Sequence, residues 1–307
     1  MTALTETADR QSLWSNTADA LKASVNFARW CTFLLSISGA LLATVASQLD
    51  QPQPRLYTAI AGAVVLAVMS FLSARLLTGS NVTSWVRARA ASEALKRAAY
   101  KYAVSAAPYK DPATRDAQLN GERSRIENDV DDLAGSQVPT TDPGSSPRTD
   151  MAREDYVKRR VRQQIDGFYL PKAAAHSKIA RTLRSTEFFL SLLATVITAV
   201  VGVAGKEVLG FKFDFVAITA VLTTIAGAIL AHIEASRYDF LVVTYRATAR
   251  RLADEVAKVS NLNALSPDEW SAFVDRCETM ISEENANWLS KWSKPSASAA
   301  PVSPAVG

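Results

Sequence analysis

Apolar residues in this chain gather into four long runs, roughly Trp30 to Leu49, Leu56 to Leu77, Phe188 to Gly205 and Phe213 to Ile233. Each is close to the ~20 residues that cross a ~30 Å hydrocarbon core. Soluble helices this apolar on every side are rare, and here they come in pairs joined by very short turns. The pattern predicts an all-α membrane protein with two transmembrane helical hairpins. The ionisable exceptions, Arg75, Asp214 and His232, stand at segment ends, where a side chain can snorkel to the interface. Val45-Ala46-Ser47 loosely resembles a signal-peptide cleavage site, but the long polar stretch before the run and the run's own length argue against a cleaved leader.

The two hairpins also superpose on each other. A shift of 157 positions carries Asp50 onto Glu207, Arg55 onto Lys212, Tyr57 onto Asp214 and Arg75 onto His232 without a gap. Few residues are identical, so the repeat is one of pattern. After the first hairpin, Trp85, Ala88, Ser92, Leu95, Ala99 and Tyr102 recur at alternating spacings of three and four, and the same shift gives Val242, Tyr245, Ala249, Leu252, Val256 and Val259. A 3.5-residue period is a coiled-coil seam, so each hairpin is expected to continue into a coiled-coil-like helical stalk. The seam alone leaves open whether it packs within one chain or between subunits.

The repeat divides the chain into residues 1–133, the first hairpin with its cytoplasmic helices, and 151–294, the second. Residues 134–150 are too poor in apolar side chains to be expected to order themselves and read as a disordered linker. The Ser, Ala and Pro tail 295–307 reads the same way. Asp111-Pro112 opens a polar helix toward Leu133. A basic helix from about Asp150 leads back to the membrane, with a kink or break expected near Gly167 and Pro171. Ser266-Pro267-Asp268-Glu269 has the form of a capping box, opening a helix that carries Trp270, Phe273, Cys277, Ile281 and Trp288 on one side.

Charge adds orientation. Basic residues flank both hairpins at their outer ends, among them Arg29, Arg87, Arg89, Lys178, Arg181, Arg184, Arg237 and Arg246, whereas the tight turns carry balanced charge. The positive-inside bias then places the N- and C-termini and the middle region in the cytoplasm, in a multi-pass inner-membrane protein touching anionic lipid. This accounts for the net charge of +4 without nucleic acid as a partner. Two cysteines, Cys31 and Cys277, make no disulfide framework, which fits a reducing interior.

No catalytic constellation emerges, so the chain is not expected to be an enzyme. His176 and His232 are far apart and lack cysteines at metal-ligand spacing, and no metal or cofactor is expected. Gly202-Val-Ala-Gly205-Lys206 echoes a phosphate loop, but one spacer is wrong and Glu207 replaces the needed hydroxyl residue. Its glycines read better as close-packing residues. The informative polar residues are small ones along the membrane segments: Thr32, Ser36 and Ser47 on the first, Ser191, Thr195, Thr198 and Gly202 on the third, and Thr219, Thr223 and Gly227 on the fourth. They serve either close helix packing or, in a homo-oligomer, a narrow polar path for ions.

Tyr156-Val-Lys-Arg159-Arg160, then Gln163, Tyr169 and Lys172-Ala173, running into a basic stretch and a hairpin, resembles the bacterial SLATT family, the SMODS and SLOG-associating two-transmembrane effector domains. The second half carries these residues; the first half fits by architecture alone, as the other unit of a tandem. The resemblance implies a pore-forming membrane effector in a nucleotide-triggered bacterial defence response, with a cytoplasmic nucleotide-sensing or synthetase partner. It brings no catalytic residues. The other reading of the chain is a non-conducting anchor or scaffold that recruits a partner through its stalks.

Overall fold

The computed structural model describes residues 2–204 and 214–292, without the side chains of 204 and 284–292. Its regular elements are all helical: α1 (Ala3–Gln48), α2 (Pro52–Leu76), α3 (Gly79–Ala103), α4 (Arg115–Asn128), α5 (Arg153–Tyr156), α6 (Leu170–Ala204), α7 (Phe215–Ser236), α8 (Tyr238–Ala257) and α9 (Pro267–Trp292). Short 3-10 helices occupy Asp131–Ser136 and Leu262–Ala264. The expected turn residues Lys206, Glu207 and Lys212 and the tail 295–307 lie outside the described residues.

Four helices are long and apolar enough to cross a bilayer, the stretches Ala3–Gln48, Pro52–Leu76, Arg153–Val203 and Phe215–Ala257 each holding one such span. The chain is a multi-pass membrane protein. The helix boundaries fall two to three residues from the repeat: α2 gives way to α3 at residues 77–78, which the shift carries to 234–235, and α7 to α8 at Arg237, whose φ of 50° makes a left-handed break.

The chain divides into two compact units that cut across the repeat. The first comprises Met1–Lys22, Gly79–Val161 and Arg251–Gly307; the second comprises Ala23–Thr78 and Arg162–Arg250. In the second unit α6 packs along α7. The end of α1 meets the start of α7, where Gln48 Nε2 donates to the Asp214 carbonyl (3.1 Å) and Asp214 N–H donates to Gln48 Oε1 (2.9 Å). Asp214 also caps α7, its carboxylate accepting from the N–H groups of Val216 and Ala217. Within the first hairpin, a Cβ on Gly39 would lie 2.5 Å from the Leu66 side chain, so glycine is what lets α1 and α2 approach there. Phe188, Phe189, Leu192, Leu193 and Val196 of α6 are exposed, as are Leu56, Ile60 and Val64 of α2, and such a surface needs lipid or another apolar chain to cover it.

His232 departs from expectation. It is buried rather than snorkelling, with its ring 4.9 Å from Trp30 and 4.7 Å from Phe33 and its Nε2 3.3 Å from the Tyr238 hydroxyl.

The first unit is a helical bundle in which α3 packs on α4 and α9. The stretch before the first apolar run is not a loose leader: α1 is helical from Ala3 and buries Leu4, Thr7, Gln11, Trp14 and Ala18, a three-four spacing of its own. This stripe meets the seam of α3. Trp14 and Ala18 share a cluster with Trp85, Ala88 and Leu95, while Leu4 shares one with Ala99 and Tyr102. The α3 seam therefore packs within the chain.

The second seam is displaced. Tyr245, Ala249 and Leu252 are buried, but Val242, Val256 and Val259 are only partly so, and Val259 lies beyond the end of α8. Leu241, Thr248 and Glu255 take the inner positions instead. Glu255 is tolerated there because Lys258 Nζ (3.0 Å) and Arg276 Nε (2.5 Å) both donate to its carboxylate.

Residues 137–150 also differ from the disordered linker expected. They run as an extended strap on the first unit, tied by polar side chains of α1: Asn16 Nδ2 donates to the Val138 carbonyl (3.0 Å), the Thr17 hydroxyl accepts from Val138 N–H (3.0 Å), and Ser12 donates to the Pro143 carbonyl (3.0 Å). Order here comes largely from α1 supplying donors and acceptors, with Pro147 the one apolar residue of the strap that is buried. Gly144, at φ 70°, is required where the strap crosses Ser12, whose Oγ lies 2.3 Å from the position of a Cβ.

Other local expectations hold with small shifts. Ser266 and Glu269 form the reciprocal capping box, Ser266 N–H donating to Glu269 Oε2 (2.8 Å) and Glu269 N–H to Ser266 Oγ (3.3 Å). Trp270, Phe273, Cys277 and Ile281 are buried, and the Trp288 side chain lies outside the described residues. Asp111 accepts from Ala113 N–H and the Thr114 hydroxyl before α4 begins at Arg115. No break occurs near Gly167 and Pro171. Instead the helix widens into π-type turns over Val157–Tyr169 and regains α-geometry at Leu170.

Candidate functional site

The wide turns carry a buried polar cluster. Arg160 is 1% exposed and Glu278, from α9, is completely buried. They meet as a bidentate pair, Arg160 Nε donating to Glu278 Oε1 (3.0 Å) and Nη2 to Oε2 (2.8 Å). The Tyr156 hydroxyl, one turn before, donates to the same Oε1 (3.1 Å). The Arg160 guanidinium also lies 4.8 Å from the Tyr100 ring of α3. Two neighbouring side chains of one helical stretch thus bond to the α9 carboxylate, and α3 contributes the ring beside the guanidinium.

The electrostatics match this closure. Burial lowers the affinity of Arg160 for its proton, but the adjoining Glu278 carboxylate more than compensates and holds the guanidinium charged. Burial, reinforced by Glu278, pushes the Tyr156 hydroxyl well above its ordinary range. The same causes push the neighbouring Cys277 thiol up to about 12. A thiol that stays protonated is a poor nucleophile, so the cluster serves to fix α9 against the helix that leads into the membrane span.

Lys96 borders the cluster and touches the strap, its Nζ 2.7 Å from Ser145 Oγ. Burial and then the nearby Arg160 charge push Lys96 down to about 8, against the partial support of Glu93. The unfolded chain keeps its lysine protonated to about 10.4. Between those values the unfolded state binds the extra proton, so stability rises as pH increases from about 8 toward 10. Lys96→Met is expected to raise the unfolding temperature of the full chain at pH 7 and to flatten that rise. An unchanged pH profile would remove Lys96 as its source.

The hydroxyl residues of the membrane segments do not converge on one another. Thr195 donates to the Ser191 carbonyl, Thr198 to Ala194, Thr219 to Phe215, Thr223 to Thr219 and Ala220, Ser36 to Phe33 and Ser47 to Thr44. Ser191 donates to Glu187 Oε1, one turn earlier on α6. Thr32 is the exception: its Oγ1 is buried without a partner among the described residues. Among the described residues nothing lies within 4 Å of where a Cβ on Gly202 or Gly227 would stand.

Of the motif residues in the second half, Tyr156, Arg160, Tyr169 and Ala173 are buried, while Arg159, Gln163 and Lys172 are exposed. Tyr169 packs 5.8 Å from the Tyr245 ring of α8. Residues 156–288 match the family model described as SMODS and SLOG-associating 2TM effector domain 1. This part of the chain is similar to a SLATT domain. Its match begins at Tyr156 and extends past Glu278, so the SLATT region contains both ends of the buried pair as well as α6, α7 and α8. The first half matches a separate model, described as a protein of unknown function (DUF4231), over residues 11–117. The expected tandem of two SLATT units is therefore supported in its second half only, the first half matching a different family. No curated protein and no solved structure matches the chain.

Glu278 was not legible as a site residue. It lies 118 positions from Arg160, on a helix whose apolar stripe alone was readable. The usable signal was the pair of adjacent arginines, only one of which falls on the inward side of its helix.

Proposed function

We propose that this protein is an oligomeric inner-membrane effector that opens a polar path through the bilayer in a nucleotide-signalled bacterial defence or stress response. Both termini face the cytoplasm, where a nucleotide-sensing or synthetase partner acts on the first unit. The observation that carries the reading is the state of the small-residue faces of α6 and α7. Thr195, Thr198, Gly202, Thr223 and Gly227 are exposed in the single chain, and among the described residues no neighbouring side chain uses the space at the two glycines. Small residues that permit close helix approach are then available to a second copy. The SLATT match supports the effector class.

A non-conducting anchor is the second reading. It is favoured by the hydroxyls bonded back to their own helix carbonyls, an arrangement that satisfies a threonine facing lipid equally well.

Membrane potential, followed with a voltage-sensitive dye during induced expression in bacteria, separates the two. Depolarisation by the wild-type chain, abolished by Thr195→Leu with Thr198→Leu at unchanged membrane insertion, is the expected result. Depolarisation that survives both substitutions would remove these residues from the path. An unchanged potential with the wild-type chain inserted and its cytoplasmic partner present would favour the anchor.

A further inference from the structure

At the polar end of α6, Ser177, Arg181, Arg184 and Ser185 share one side of the helix and, with Asp239 and Val242 of α8, line a cleft of about 270 Å3. Arg184 is committed, donating to the Asp239 carboxylate. Arg181 is exposed, with no ion-pair or hydrogen-bond partner among the described residues. The cleft therefore offers one engaged and one open guanidinium, flanked by two hydroxyl donors, against a single carboxylate.

Its depth along the helix is informative. The exposed apolar face of α6 starts at Phe188. Arg184 and Arg181 precede it by four and seven residues, which at 1.5 Å per residue places them roughly 6 and 10 Å along the axis. The headgroup layer adds roughly 5–8 Å on each side of the hydrocarbon core. Arg184 thus stands within the headgroup layer and Arg181 at its outer edge, from which a long flexible side chain can extend back to a lipid phosphate.

The repeat supplies an internal comparison. Under the shift of 157, the positions equivalent to Ser177, Arg181, Arg184, Ser185 and Asp239 are Ala20, Ser24, Phe27, Ala28 and Val82. The first half has the same hairpin pattern and none of these charges, so the cleft is not a by-product of helix topology.

We infer that this cleft binds the phosphate of an anionic lipid headgroup. Arg181 presents its planar fork to two phosphate oxygens, Ser177 and Ser185 donate at the sides, and Asp239 keeps Arg184 in place. The inference rests on α6 crossing the membrane and stands whether or not the chain conducts.

The test is native mass spectrometry of the full-length protein in detergent, titrated with phosphatidylglycerol and, in parallel, with phosphatidylcholine. Arg181→Gln should weaken retention of phosphatidylglycerol by about tenfold, the loss expected for a charge-assisted hydrogen bond. Lys178→Gln, an exposed charge nearby that does not line the cleft, should leave retention essentially unchanged. Equal losses in the two variants would mean diffuse attraction to surface charge and would overturn the site, as would full retention by Arg181→Gln. Inorganic phosphate and glycerol phosphate at millimolar concentration are expected not to displace the lipid. Displacement would assign the cleft to a soluble phosphate and overturn the lipid assignment.

Discussion

Glu278→Gln is expected to destabilise the full-length protein by about 3–5 kcal/mol, because it removes one charge of a buried pair and leaves the other uncompensated. Arg160 has no water to turn to at 1% exposure, and its Nη1 already lacks a partner among the described residues. The neutral amide would also weaken the acceptor that holds the Tyr156 hydroxyl. Thermal unfolding in detergent is the readout. The double variant Arg160→Met with Glu278→Leu tests the cause: replacing both charges by apolar groups of similar size is often neutral or stabilising, so most of the lost stability should return. If the double variant falls as far as Glu278→Gln, shape complementarity rather than charge pairing holds the cluster together.

Trp14→Ala should cost about 3–5 kcal/mol, the range for truncating a large buried aromatic. Trp14 is 1% exposed and packs with Trp85, Ala88 and Leu95 on α3, and its Nε1 lies 3.4 Å from Glu127 Oε1. A tryptophan in a solvated polar leader would behave as a surface residue, with a change within about 0.5 kcal/mol. The same unfolding experiment decides between these outcomes. It also tests whether the seam of α3 is occupied by its own chain.

The membrane spans were legible because their composition leaves few other solutions, and the placement of α2, α3, α7 and α8 follows the repeat closely. The start of α1 was not, because Thr7, Gln11, Ser12 and Thr17 occupy inward positions and break the apolar period that would have announced a packed helix. Gln11, Ser12 and Thr17, with Asn16, also hold residues 137–150, and a strap ordered by partners more than a hundred positions away reads in isolation as disorder. On α8 the repeat suggested Val242 and Val256 as inner residues, yet Leu241 and Glu255 are buried instead. An acidic residue in that place becomes acceptable only once Arg276 is seen to reach it. The hydroxyl faces of the spans were identifiable as positions, but their bonds to preceding carbonyls belong to three-dimensional geometry.

The buried pair also has a consequence for biosynthesis. Glu278 is made 118 residues after Arg160, and both helices of the second hairpin leave the ribosome between them. At roughly 5–20 residues per second, Arg160 waits on the order of 6–24 s for its counter-ion. Throughout that interval the nascent first unit lacks α9 and exposes the surface that Trp270 and Phe273 later cover. A chain terminated by a nonsense codon between the end of α7 at Ser236 and residue 278 would carry all its membrane spans yet never neutralise Arg160. Such a product is expected to lack the stability that the buried pair supplies, so closure of the first unit depends on synthesis through α9.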